Sequence, residues 1–232
     1  SDQTKFAIIE HSLDPDNRKK EDKLEGPKHF IDIDSYKEFL DGKMIASRDT
    51  LNKIYGDTLV TKEGILPWAT EETFNKLVNA FKEKDKQKII LYASDLAHYV
   101  GDGHQPLHAT INYNGQLTSQ KGVHFRYEVE LVNRNLIEIE KKFVEQKSFY
   151  IQNITEYVFD YITESNNYAG TILSADRYCS AKRGGNPDEE YYRLFWFKTK
   201  YITLNEINSA ALGLSSLIFT AWVDAGKPVL ED

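Results

Sequence analysis

The stretch KQKIILYASDLAHYVGDGHQPLH, residues 86–108, predicts both the fold class and the position of the functional site. Its apolar residues recur at helical spacing and form one stripe, made of Ile89, Ala93, Leu96, Ala97 and Val100. His98 and Asp102 share a different face. Two glycines and then Pro106 mark the end of the helix. The stretch therefore predicts an amphipathic helix over residues 86–102 that carries an imidazole and a carboxylate near its end.

Helical spacing also dominates the rest of the chain. It predicts helices over 71–83, from near His124 to about 145, over about 147–164 and 166–178, and from 189 or 203 to Ala225. Residues 1–34 are polar and contain prolines, and residues 109–123 are rich in Asn, Gly, Ser, Thr and Gln, so both stretches are predicted to be irregular. Alternating strand patterns are rare. We therefore expect an all-α fold in which residues 1–232 form a single domain.

Composition narrows the class of protein. Of 232 residues, 41% are hydrophobic and 12% aromatic, which is typical of a globular chain with a packed core. The net charge of -7 and the lack of a basic run disfavour a reader of duplex DNA. The single cysteine, Cys179, excludes an intrachain disulfide and a zinc site built of thiolates. Apolar stretches are too short to span a bilayer, and the first residues show no signal-peptide pattern.

The histidines and carboxylates carry the functional prediction. His98 and Asp102 are spaced i,i+4, as are His124 and Glu128, and His108 lies between the two pairs. Such pairs lie on one helical face about 5–6 Å apart, from which an imidazole and a carboxylate can bind one metal ion. Nitrogen and oxygen donors of this kind suit Zn²⁺. One pair alone is usually a surface ion pair, so the alternative is a solvated helix face with a few core histidines.

Four other polar residues are predicted to support the metal ligands or to lie at the surface. His104 is predicted to support the metal ligands or to lie at the surface, and His11 is predicted to lie on a surface loop. Asp32 and Asp95 are candidates to orient the histidines, or else a loop cap and a helix-surface carboxylate.

The run from His98 to His108, HYVGDGHQPLH, resembles the signature of the superfamily that joins bacterial zinc-dependent phospholipases C and fungal single-strand-specific nucleases. Upstream, the segment His29-Phe-Ile-Asp32 is similar to a His-Phe-x-Asp segment of that superfamily. The C-terminal run from Ala221 to Pro228 is similar to the end of its bacterial members. The resemblance covers about residues 10 to 228, and it implies a multi-helix fold with the metal site at the helix core.

By position, the resemblance implies two zinc sites. The first would be held by an upstream aspartate, His29, His98 and Asp102, and the second by His108, His124 and Glu128. Spacing favours Asp14 as the upstream ligand and the Asp-x-Arg context favours Asp16; Asp16 is the preferred assignment. Asp16 and Asp102 would also position or bridge the metals during catalysis. The superfamily's nucleases usually carry aspartate where Glu128 stands, which favours the phospholipase branch.

One feature of the superfamily is not found in the sequence. Its members begin with a tryptophan whose amine and carbonyl, with a histidine, bind a third zinc. Here the first tryptophan is Trp68, and none precedes His11. Either the N-terminal part is missing from this chain or this protein lacks the third metal, so the sequence supports two zinc sites.

The activity implied by the resemblance is phosphodiester hydrolysis by a hydroxide that bridges two zinc ions. The substrate would be a phospholipid or a single-stranded nucleic acid, and the protein would be secreted or periplasmic. An alternative from another class is a catalytically silent binding protein that keeps the helical fold. A helical metal-storage or di-iron protein is disfavoured, because it would use Glu-x-x-His pairs at i,i+3.

Overall fold

A computed structural model gives the structure of the chain and describes residues 2–43 and 45–230. The described residues form helices and irregular segments without any strand, which confirms the all-α prediction. The helices are α1 (Asp2–His11), α2 (Asp14–Arg18), α3 (Lys37–Leu40), α4 (Arg48–Tyr55), α5 (Asp57–Lys62), α6 (Leu66–Glu83), α7 (Lys86–Gly103), α8 (Val123–Phe125), α9 (Val132–Lys141), α10 (Ile154–Lys182) and α11 (Glu189–Asp224). Short 3₁₀ turns cover Gly26–His29, Ile33–Ser35 and Pro106–Ala109, and a π turn covers Arg126–Leu131.

Helices α6 and α7 form an antiparallel pair, and both have clear local signals. α6 begins five residues before the predicted start, because Pro67 occupies its first turn, where a missing N–H is harmless. It ends at Glu83, and the next residue, Lys84, has a left-handed φ of 55°. Asp85 then caps α7 by accepting a hydrogen bond from the backbone N–H of Lys88. The helix predicted over 86–102 is confirmed.

Helix α10 replaces two predicted segments with one continuous helix. The predicted break falls at Ser165, which with the following Asn166 and Asn167 is a weak helix former. In the structure Ser165 is fully buried. The Asn166 side chain donates a hydrogen bond of 2.6 Å to the carbonyl oxygen of Ala109. Tertiary contacts thus override the local preference. α11 begins at Glu189, the earlier of the two predicted starts, after Asp188 as N-cap.

Three predictions about irregular stretches and helix ends were wrong. Much of residues 1–34 is helical, because Pro15 falls at the start of α2, where proline is tolerated, and because α1 packs against α7. The helix predicted to reach residue 145 ends at Lys141, and the helix predicted to begin at about 147 begins at Ile154. The following segment, 142–153, is irregular, and hydrogen bonds to side chains of α11 hold it along that helix. In one of them the Ile151 N–H donates to the Thr220 hydroxyl at a distance of 3.0 Å.

The core has three apolar clusters. One joins the π turn, α9, α10 and the first half of α11 around Phe195. A second joins the Ile33–Ser35 turn, α6 and α10 around Ile162, and a third joins α6, α7 and the second half of α11 around Leu96. α7 and the turns beside it therefore have fixed positions, and five of the seven predicted ligands lie on these elements, while Asp16 lies on α2 and His124 on α8. Among the described residues, no helix is long and apolar enough to cross a membrane.

Candidate metal centre

The last two turns of α7 carry the first group of donor atoms. Asp102 Oδ2 lies 2.9 Å from His29 Nδ1 and 3.3 Å from His98 Nε2. Asp16, on α2, approaches the same point, with Oδ1 3.5 Å from His98 Nε2 and 3.7 Å from His29 Nδ1. Donor atoms of Asp16, His29 and His98 all lie within 4.8 Å of one another. We call these three residues the first triad.

The structure distinguishes between the two candidate aspartates of α2. Asp14 pairs with His11 instead, at 2.8 Å between Oδ2 and Nδ1. Both of these residues are exposed, so His11 is at the surface as predicted, although at the end of a helix and not on a loop. Of the two aspartates, Asp16 is the one that approaches the imidazoles of His29 and His98.

A second group of donor atoms forms on the other side of Asp102. His124 Nε2 lies 2.6 Å from Glu128 Oε2, and His108 Nε2 lies 3.2 Å from His124 Nε2 and 3.5 Å from Glu128 Oε2. Their donor atoms again lie within 4.8 Å of one another. We call His108, His124 and Glu128 the second triad. Glu128 lies in the π turn that interrupts the predicted helix, a feature often found at functional sites.

Asp102 links the two triads. Its Oδ2 faces the first triad, while its Oδ1 lies 3.1 Å from His108 Nδ1. The seven residues predicted as ligands therefore lie in one neighbourhood, although they come from separate parts of the chain.

Backbone carbonyls set the tautomers of two imidazoles. His98 Nδ1 donates a hydrogen bond of 2.8 Å to the carbonyl oxygen of Ser12. His108 Nδ1 donates a hydrogen bond of the same length to the carbonyl oxygen of His29. A carbonyl oxygen can only accept, so each Nδ1 carries the proton and each Nε2 of the neutral ring presents a lone pair. This second layer of hydrogen bonds is typical of metal-binding histidines.

The electrostatics of the cluster favour an added positive charge. The His108 Nε2 lone pair faces a carboxylate and another imidazole, an arrangement that is repulsive without a proton or cation between them. Burial opposes protonation of His108, but Asp102 and Glu128 outweigh it and raise its pKa to about 10. Burial is likewise outweighed at Asp102 and Glu128, where the imidazoles lower the pKa of both carboxyls. A dication with nitrogen and oxygen ligands fits this donor set.

Polar residues behind the first triad were missed by sequence reasoning. Glu25 is buried, with its Oε1 3.8 Å from His29 Nε2. It accepts hydrogen bonds from Tyr99 Oη, Lys28 and Arg18. Burial opposes its charge, but Lys28, Tyr99 and Arg18 lower its pKa to about 2. No local pattern marks Glu25, because its partners are distant in sequence or common surface types.

Three residues differ from their predicted supporting roles. Asp95 accepts from Arg18 at 3.0 Å, and the carboxyl of Asp32 lies beside other carboxylates. His104 is buried, and its ring stacks on the ring of Tyr161. Its Nδ1 donates a hydrogen bond of 2.9 Å to the carbonyl oxygen of Val100. A surface place for His104 was therefore wrong. Gln105, within the quoted motif, supports the second triad by donating 3.1 Å to Glu128 Oε2.

A cavity of about 300 Å³ adjoins the centre. Asp102, Gln105 and Glu128 form its wall nearest the triads, and Thr203 and Glu206 of α11 form part of the opposite side. Glu206 is buried, and burial raises the pKa of its carboxyl to about 7. The sequence offered no signal for this cavity, because α11 approaches the site only through packing.

Comparison with known family models and with curated proteins found no match to this sequence.

Proposed function

We propose that the chain is a zinc-dependent phosphodiester hydrolase. The observation that carries the proposal is the position of Asp102, whose two oxygens face two separate triads of imidazole and carboxylate donors. Two neighbouring dications are the arrangement used by many phosphoesterases. An ion pair with a purely structural role needs only two side chains. Here five further imidazole and carboxylate side chains converge on the same place, which supports a metal centre.

The residues divide into two ligand sets. Asp16, His29 and His98 would hold one zinc ion with Asp102, and His108, His124 and Glu128 would hold the other. Bound zinc supplies Lewis acidity, which polarises a phosphoryl group and makes water a competent nucleophile near neutral pH.

The chain's own groups orient this centre. The carbonyls of Ser12 and His29 keep the Nε2 lone pairs of His98 and His108 directed at the centre. Gln105 holds the Glu128 carboxylate. The sole cysteine is fully buried in the core cluster around Phe195, so it cannot serve as the nucleophile.

The substrate would enter from the side of the second triad. Tyr113 is exposed and stands edge-on to His124 with ring centroids 6.1 Å apart, and Phe125 is exposed one residue further along. The 300 Å³ cavity beside Glu128 offers room for one substituent of a phosphodiester. Both a phospholipid headgroup and a nucleotide are compatible with these surroundings.

Metal analysis and turnover test the proposal together. Purified protein reconstituted with zinc is expected to hold two ions per chain and to hydrolyse bis(p-nitrophenyl) phosphate. Phosphatidylcholine and single-stranded DNA then distinguish the two substrate classes. His108→Ala is expected to lose one zinc and nearly all turnover, whereas His11→Ala, a matched histidine outside both triads, retains them. A protein that binds no zinc and turns over none of these substrates would instead be a silent binding protein.

A further inference from the structure

An apolar stripe faces outward on α11. Phe197 and Tyr201 are 70% and 75% exposed, and they lie one helical turn apart. The opposite face of the same turns is fully buried at Phe195 and Thr199. The two aromatic rings are therefore on the surface although neighbouring residues of α11 belong to the core.

The segment after α9 extends this stripe. The Val144 N–H donates 2.7 Å to Asn208 Oδ1, and Asn208 Nδ2 reaches the carbonyl of Lys142. Asn208 lies seven residues, about two turns, after Tyr201, so it is on the same side of α11. We define the α9–α11 patch as five exposed apolar residues: Ile137, Phe143, Val144, Phe197 and Tyr201.

Lysines border the aromatic pair on both sides. Lys200 Nζ lies 3.7 Å from Glu138 of α9, and Lys198 Nζ lies 4.0 Å from the ring centroid of Tyr178 on α10. Segments 137–147 and 197–201 together carry five lysines and three glutamates, although the whole chain has a net charge of -7. The surroundings of the patch are thus locally positive.

The mixture of residues indicates the kind of partner. Protein–protein interfaces are depleted in lysine, whereas exposed aromatic and aliphatic residues beside lysines are typical of helices that lie on a bilayer. Lysine stems can follow the apolar surface while their amines reach lipid phosphates. We propose that the α9–α11 patch binds the surface of an anionic phospholipid bilayer.

Bilayer binding by the patch does not depend on metal chemistry or on the proposed hydrolysis. Thr203, Glu206 and Ile207 of α11 line the cavity beside the second triad, between Tyr201 and Asn208 in sequence. These residues lie on the side of α11 turned away from Tyr201, since Thr203 follows the buried Thr199 by one helical turn. A bilayer on the patch would therefore contact a different face of α11 from the one that lines the cavity.

Sedimentation with vesicles tests the surface directly, using the full chain without added zinc. Wild type is expected to sediment with phosphatidylcholine–phosphatidylserine vesicles and less with phosphatidylcholine alone. Phe197→Ser/Tyr201→Ser should weaken binding at least about tenfold, because two exposed apolar side chains are removed. Lys198→Gln/Lys200→Gln should reduce the preference for anionic vesicles. Leu24→Ser, which alters a residue that is also 70% exposed but lies outside the patch, should bind like wild type.

Three results would overturn the proposal: no sedimentation of wild type with anionic vesicles, equal binding by the Phe197/Tyr201 variant, or equal loss in Leu24→Ser. The competing occupant of the patch is a second copy of the chain, which sedimentation equilibrium would detect as a dimer. A wild-type dimer that the Phe197/Tyr201 variant converts to monomer would assign the surface to that second copy. Vesicle binding without any turnover of bis(p-nitrophenyl) phosphate would retain the surface and reject the hydrolase.

Discussion

The two triads use the same kinds of donor atoms but are assembled in different ways. The first draws Asp16, His29 and His98 from three elements, and its imidazoles are almost buried, with His29 5% exposed. The second comes from residues 108–128 alone, and its imidazoles are more exposed, with His124 27% exposed. The first triad therefore depends on tertiary packing, whereas the second depends mostly on local structure and faces solvent. If the proposed zinc ions are bound, this difference predicts tighter zinc retention by the first triad and substrate access at the second.

The largest effect is expected where the two triads meet. Asp102→Asn removes the charge that faces both, so zinc should be lost from both sites. Turnover of bis(p-nitrophenyl) phosphate should fall on the order of 10³-fold, because metal-assisted charge stabilisation contributes several kcal/mol. Zinc content and kcat/KM measure the loss. Asp49→Asn, a change at an exposed aspartate, is the control. Wild-type zinc content in Asp102→Asn would show that the triads are not joined through this carboxylate.

The contrast in exposure predicts unequal metal retention. Glu128→Gln should release the zinc of the second triad at low chelator concentration and keep the other ion. Asp16→Asn should have a smaller effect, because Asp102 remains as a carboxylate ligand beside His29 and His98. Competition with a zinc-binding dye measures both affinities. If Asp16→Asn loses zinc more readily than Glu128→Gln, the proposed order of retention is wrong.

Residues behind each triad should affect only their own site. Glu25→Gln weakens the charged support beside His29, and Gln105→Ala removes the hydrogen bond to Glu128. Each change should lower zinc affinity about tenfold at one triad and leave the other unchanged, as is common for partners of metal ligands. The dye competition assay, applied to each variant, resolves the two sites. Equal weakening of both sites would mean that the triads are coupled beyond Asp102.

The smallest effect concerns stability near the turn that carries His29. Burial, with Glu63 and Asp34 nearby, raises the pKa of Asp32 to about 7. The folded state therefore keeps this proton while the unfolded chain releases it near pH 4, so stability falls as the pH rises from 4 to 7. Asp32→Asn should stabilise the protein by about 2 kcal/mol at pH 8, after allowance for partial exposure, and have little effect at pH 4. Urea unfolding at both pH values measures this, and a pH-independent difference would contradict it.

Local sequence signals were sufficient for the second triad. The i,i+4 pair of His124 and Glu128 needs only one helical turn, and His108 follows a motif with Gly and Pro at fixed positions. The π turn at Glu128 was not predicted, because its hydrogen-bond shift leaves no compositional mark. Helix α7 was predicted almost to the residue, since its apolar stripe and end signals are local.

The first triad required long-range information. The choice between Asp14 and Asp16 could not be made from spacing, because it depends on how α2 lies against α7. Glu25 and the cavity wall on α11 were invisible for the same reason. By itself the sequence determined the helical class and the α7 face, because these follow from periodicity over a few turns, whereas the full set of donor side chains was implied by the family resemblance. Only the tertiary structure decided which carboxylates meet the imidazoles, because the burial of apolar stripes on α6, α7, α10 and α11 sets the distances between segments far apart in the chain.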